Sequence, residues 1–134
     1  MKACLLVAAF AVMAALSGCD PAKVLQVRSV DKPNYSVSVY ANGTVFPGLQ
    51  RSPNDKVMLT LPLPGGTRDT SFHYGIGGWS DPGVKTFASH FDSIIIVNNG
   101  VPLHLVDQVS IIAYLQQHRQ GSMNALLMIE SDEQ

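Results

Sequence analysis

Apolar and polar residues alternate through most of the first half of this chain. Val24, Leu25, Val27 and Val30 mark one half-buried strand over residues 24–30, and Tyr35, Val37 and Val39 mark a second over 35–40. Asp31-Lys32-Pro33-Asn34 supplies turn chemistry between them, so the two are expected to pair. Asn42-Gly43 should end the second strand, because this dipeptide accepts the positive φ of a tight turn. Two prolines and few large apolar side chains make 47–55 a loop. Alternation resumes over 57–63 and stops at Pro64-Gly65-Gly66. A further strand over 72–76 runs into Gly75, Gly77, Gly78 and Trp79.

The period then changes. Asp81 can cap a helix, Pro82 suits its first turn, and Val84, Phe87, Ala88 and Phe91 recur at helical spacing, predicting a helix over 82–91. The β-branched run 93–97 reads as a central strand, and Asn98-Asn99-Gly100 folds it into a hairpin with 101–105. A second helix is predicted over 108–120, with Asp107 as its cap, Ile111, Ile112 and Leu115 on its buried face, His118 and Arg119 near its carboxyl end, and Gly121 as its stop. A strand over 123–129 closes the chain. The element order from residue 72 onward matches a split β-α-β unit. The expected class is therefore α+β, an antiparallel sheet with two helices that the earlier strands extend or cover; the alternative is a β-sandwich decorated by helices.

Ahead of this domain lie Lys2, an apolar run over 3–16, and the tetrad Leu16-Ser17-Gly18-Cys19. Fourteen apolar residues are too few for a bilayer core that needs about 20 in helix. A positive start, a short apolar run and small residues before the processing point make a secretory signal. The tetrad resembles a bacterial lipobox. In lipoproteins of that kind the cysteine thiol becomes a thioether to diacylglycerol, Leu16, Ser17 and Gly18 are read by the signal peptidase, and the mature chain begins at the lipidated cysteine. The resemblance thus implies a signal peptide at 1–18, a lipidated tether at 19–23 and one globular domain at 24–134. Two or more acyl chains on Cys19 would hold the protein stably to a cell membrane or outer membrane, with its domain in the periplasm or on the cell surface. Asp20 resembles an inner-membrane retention signal of enterobacteria.

Cysteine use and charge narrow the picture. Cys4 leaves with the signal and Cys19 is taken by lipid, so the expected mature domain of 116 residues has neither a disulfide nor a thiolate metal site. Loss of Lys2 from nine basic residues, against ten acidic ones retained, sets the mature charge at −2. Isolated basic residues without a cluster point away from nucleic acid. No cofactor is expected beyond covalent lipid.

Among candidate chemical groups, Trp79 with neighbouring His73, Tyr74 and Asp81 could make a ligand patch for a glycan or peptide, although a lone tryptophan more often packs in a core. Gly75-Ile76-Gly77-Gly78 lacks the spacing of a dinucleotide or phosphate loop and reads as a bulge. His73, His90, His104 and His118 show no metal-ligand spacing, and no serine sits in a nucleophile elbow. Gly75-Ile76-Gly77-Gly78-Trp79, Asp92-Ser93-Ile94-Ile95-Ile96 and residues 114–121 with His118-Arg119 together resemble a pattern in small lipoproteins of Bacteroides-type bacteria. That resemblance implies an outer-membrane anchor and carries over no activity or ligand. The expected function is a non-catalytic binding or assembly module of the cell envelope, contacting an envelope protein or glycan. The alternatives are an inhibitor or immunity-type lipoprotein acting through the 47–55 loop, and a small hydrolase.

Overall fold

The computed structural model describes residues 19–49 and 56–133. Leu16, Ser17 and Gly18, with the rest of the expected signal, lie outside the described residues, as does 50–55 of the expected loop. The elements are β1 (Ala22–Arg28), β2 (Ser36–Asn42), β3 (Lys56–Leu61), β4 (Asp69–Ile76), α1 (Asp81–Ala88), β5 (Phe91–Asn98), β6 (Val101–Leu105), α2 (Gln108–Gln117), β7 (Arg119–Gln120), a 3₁₀ turn (Ser122–Asn124) and β8 (Leu126–Glu130). The class is α+β. The strands form two four-stranded sheets, ordered β4-β1-β8-β7 and β3-β2-β5-β6.

Alternation in sequence becomes alternation in burial. Leu25 and Val27 of β1, Val37, Val39 and Ala41 of β2, Leu59 and Leu61 of β3, and Ile94 and Ile96 of β5 join one apolar cluster with Leu127 and Ile129 of β8. Full burial of each such side chain contributes about 1.5–3 kcal/mol. β5 lies between β2 and β6, as its β-branched run predicts. Asn99 and Gly100 both take positive φ, 49° and 81°, completing the expected two-residue hairpin to β6. The second helix contacts both β5 and β8 and packs on the first, so the helical pair bridges the two sheets.

Strand partnership departs from expectation in two places. β1 and β2 do not pair. The link after β1 instead carries the chain to the other sheet: Ser29 Oγ donates to Tyr35 O at 3.2 Å, and Arg68 Nη1 donates to Val30 O at 3.0 Å. Buried Tyr35 makes this link part of the core. Nor does the split β-α-β unit form, because β1 inserts between β4 and β8 while β5 and β6 lie in the second sheet. β1 and β8, from opposite ends of the domain, pair in parallel from Val24↔Leu126 to Arg28↔Glu130.

Helix boundaries shift for local reasons. Ser80, not Asp81, caps α1, its Oγ accepting from Gly83 N at 3.2 Å. The helix stops at Ala88, and Phe91 opens β5 opposite Ala41. Phe91 still packs edge-on against Phe87, with centroids 5.2 Å apart, which is why it fits the helical period. The second helix ends at Gln117, since Arg119 and Gln120 pair with Leu127 and Leu126. The expected last strand begins at Leu126, three residues late, because 122–124 form the 3₁₀ turn.

Asp107 caps α2 as expected, accepting from Ser110 N at 2.9 Å and from Ser110 Oγ at 3.0 Å. These bonds, the backbone one first, hold its carboxyl below the usual carboxylate range. A depressed folded-state pKa contributes stability that is present above the unfolded value, about 3.9, and is lost as pH falls through the folded value. Thermal melts of the wild type and Asp107→Ala from pH 7 to pH 2 should therefore differ most near neutrality, with the gap closing below about pH 4. A gap unchanged down to pH 2 would refute the capping account.

Candidate functional site

The end of the first sheet where the described chain begins is organised around glycine. Cys19 is exposed, and two residues later Pro21 is already held by the domain, its carbonyl accepting from Gly77 N at 2.8 Å. Ala22 pairs with Ile76 and Val24 with His73, so β4 carries one more residue than β1 across this step. That extra residue makes a bulge at which Gly75 takes φ +103°. The bulge reading of the glycines thus holds. Gly77, at φ +96°, turns the chain back toward the sheet. Gly78 passes so close to the 3₁₀ turn that a Cβ there would lie 1.9 Å from Met123 O.

These turns seat Trp79 in the core, where it is only 4% exposed. Its indole Nε1 donates to Val24 O at 3.1 Å, and its backbone N donates to Asn124 O at 2.9 Å. Tyr74, Phe87 and Trp79 form an aromatic cluster with centroids 4.7–5.6 Å apart. The Lys23 ammonium lies 5.0 Å from the Trp79 ring centroid, a cation–π contact at the cluster's outer edge. An open cleft of about 450 Å³ lies over this edge, lined by Lys23, Tyr74, Trp79, Pro82, Thr86 and His90 among others.

Of the four residues in the sequence-predicted ligand patch, the fold brings Tyr74 and Trp79 together and separates the other two from them. His73 is exposed and follows Phe72 on β4, so it projects from the opposite face to Phe72 and Tyr74. Asp81 pairs with Arg119, Nη1 to Oδ1 at 2.7 Å, and the same guanidinium donates to Trp79 O at 3.1 Å. Arg119 therefore ties the end of α2 to the start of α1. Tyr74 donates its hydroxyl to Val45 O. Burial holds its phenol far above the ordinary range, so it stays protonated.

Of the remaining histidines, His90 and His118 have structural partners. Asn42 Oδ1 accepts from Thr44 N and Oγ1 at 3.1 and 2.8 Å, which orients the amide so that Nδ2 donates to His90 Nδ1 at 3.0 Å. The Asn42 side chain thus shapes the turn after β2. His118 stacks on Tyr114 at 3.8 Å, and its Nδ1 donates to Tyr114 O at 2.7 Å, at the carboxyl end of α2. Burial pushes the Tyr114 phenol up to about 12. His104 projects from the exposed edge strand β6. Among the described residues no three His, Cys, Asp or Glu side chains gather to hold a metal ion. Nor is any helix among them long and apolar enough to cross a membrane.

Three features escape sequence reasoning. Ile76 and Met123, 73% and 59% exposed, stand at the same end of the first sheet as Cys19. Val45 and Phe46, after β2, are fully buried although they lie between turn signals. The edge strand β6, the link after it and the start of α2 expose Val101, Leu103, Val106 and Val109, of which Val101 and Leu103 line a cleft of about 480 Å³ with Tyr35, Asn98 and Asp132. Only exposed apolar residues within strand-forming sequence could have signalled the last of these. Comparison with protein-family models, with curated proteins and with solved structures finds no match.

Proposed function

We propose that this protein is a lipid-anchored module of the bacterial cell envelope, acylated at Cys19 and working by binding a partner rather than by catalysis. The observation that carries the reading is Leu16-Ser17-Gly18-Cys19 after a short apolar run, placed so that its cysteine is exposed and lies three residues before the first strand. A thiol in that position can be alkylated without disturbing the core. The expected tether of 19–23 is shorter in the fold, because Ala22 and Lys23 already belong to β1; the two residues left between Cys19 and the strand keep the domain beside the membrane that holds the lipid.

A binding role is supported by β6. It is an edge strand whose side chains Val101 and Leu103 are 69% and 46% exposed, and unpaired strand edges with apolar side chains are natural sites of protein contact. Pro102, with no N–H to offer, limits how far another strand can zip along that edge. The partner proposed is therefore an envelope protein that covers the Val101–Leu103 side chains.

Intact mass of the protein purified from its native membrane tests the anchor. The expected result is a chain beginning at Cys19 with the added mass of at least two acyl chains. A chain retaining residues 1–18, or one trimmed but bare of lipid, would overturn the reading. Photocrosslinking in intact cells from position 103 should give one discrete adduct that a probe at position 28, on the first sheet, does not give. Identical patterns from both positions would remove β6 as the contact.

A further inference from the structure

We propose that Ile76 and Met123 form an apolar rim that rests in the lipid interface beside Cys19, giving the domain one fixed face toward the bilayer. This inference rests on the lipid-anchor reading and adds to it an orientation and a second membrane contact.

The topology carries the argument. β1 and β8 run parallel, so both begin at the same end of the first sheet, and β4, antiparallel to β1, finishes there. Cys19 enters at that end through Pro21, whose carbonyl is bonded to Gly77. Ile76 pairs with Ala22, and the Met123 carbonyl lies against Gly78. The two exposed apolar side chains therefore sit on neighbouring turns around the point where the anchored residue joins the domain. Their exposure is built into the backbone. Gly75 and Gly77 turn the chain with positive φ on either side of Ile76, and Met123 and Asn124 both take left-handed conformations, at φ 55° and 52°.

Tether length identifies the bilayer as the occupant. Three residue steps from Cys19 to Ala22 span at most about 10 Å when fully extended. The headgroup layer of one leaflet is about 5–8 Å thick. A thioether-linked Cys19 sits at the inner boundary of that layer, so this end of the sheet must lie in or against the headgroups. Side chains the length of isoleucine and methionine then reach the acyl boundary. The nearby charges are few: Asp20 is exposed, Asp81 is paired with Arg119, and the Lys23 ammonium lies over Trp79. Contact by apolar insertion suits this end better than attraction to anionic lipid.

The test uses the full lipidated protein in phosphatidylcholine vesicles, with an environment-sensitive fluorophore on a cysteine introduced by Ile76→Cys, Met123→Cys or, as control, Thr67→Cys. Thr67 is exposed and precedes β4, at the opposite end of that strand from Ile76. Lipids carrying a spin label near the headgroup should quench the probes at 76 and 123 several-fold more than the probe at 67. Equal quenching at all three positions, in a preparation whose mass shows the acyl chains, overturns the rim and leaves the anchor standing. Absence of acyl mass together with failure to sediment with vesicles overturns both. Cysteine at an exposed position does not disturb the core, and unchanged Trp79 emission in each variant verifies that the fold is retained.

Discussion

Replacing Trp79 with alanine is expected to destabilise the domain by about 3–5 kcal/mol, the range found when a large buried aromatic is truncated. Three consequences of the structure place it there. The side chain is 4% exposed and touches Tyr74 and Phe87, so truncation leaves a cavity bounded by rings that the surrounding strands hold in place. The indole N–H donated to Val24 O is lost, within the β-bulge that sets the register of β1 and β4. Lys23 loses the ring face beneath its ammonium. Against a typical domain stability of about 5–15 kcal/mol, such a loss brings the variant close to unfolding. Urea titration followed by circular dichroism measures it. Trp79→Phe should recover most of the packing but not the hydrogen bond, and should fall between the two. A Trp79→Ala loss below about 1 kcal/mol, the level of an ordinary surface substitution, would mean that the ring is not part of the core.

Gly78→Ala is the second large effect expected, and it acts through a single methyl group. The added Cβ would lie 1.9 Å from Met123 O and 3.1 Å from Met123 C. Both atoms are backbone, so no side-chain rotation relieves the contact. The 3₁₀ turn Ser122–Asn124 would have to move. That turn supplies Asn124 O to Trp79 N, and the residue after it supplies Ala125 O to Val24 N, just ahead of the first β1–β8 pair, Val24↔Leu126. Overpacking costs about 1–3 kcal/mol when neighbours can yield, and more when they cannot, so a loss of about 3 kcal/mol is expected. Gly83→Ala is the control, because its Cβ would meet only Ser80 Oγ at 3.1 Å. Comparable urea midpoints for Gly78→Ala and the wild type would show that the turn is not packed on the glycine. Hydrogen exchange at Trp79 and Val24 locates the damage: both amides should lose protection before those of β5 do.

Much of the local structure was legible because it is governed by neighbours in sequence. Asp107 caps its helix through Ser110, three residues away, and Asn99-Gly100 closes the β5–β6 hairpin with backbone angles those residues favour. The run Ile94-Ile95-Ile96 announces a central strand, and β5 lies between β2 and β6 with Ile94 and Ile96 buried. Helix ends were less legible, since Phe91 and Arg119 fit the helical period yet pair in sheets. Sheet hydrogen bonds and edge-on packing against Phe87 satisfy the same residue by different means. The candidate site was legible in part. Cys19 follows from a linear motif, whereas Ile76 and Met123, 47 residues apart, come to the Cys19 end of the sheet only through pairing with β1 and packing on Gly78.

Sequence by itself therefore determined which segments are strands and helices, the α+β class, the glycine bulge before Trp79, and the cysteine that resembles a lipid acceptor. These depend on hydrophobic period, turn chemistry and short motifs, all of which act over a few residues. Tertiary structure alone decided that β1 sits between β4 and β8 rather than beside β2, that Trp79 is enclosed while Asp81 is drawn to Arg119, and that two exposed apolar side chains stand at the end of the sheet where Cys19 joins the domain. The physical reason is common to all three. Each depends on which distant surfaces bury one another best, a competition among partners of equal local merit that alternation and spacing do not encode.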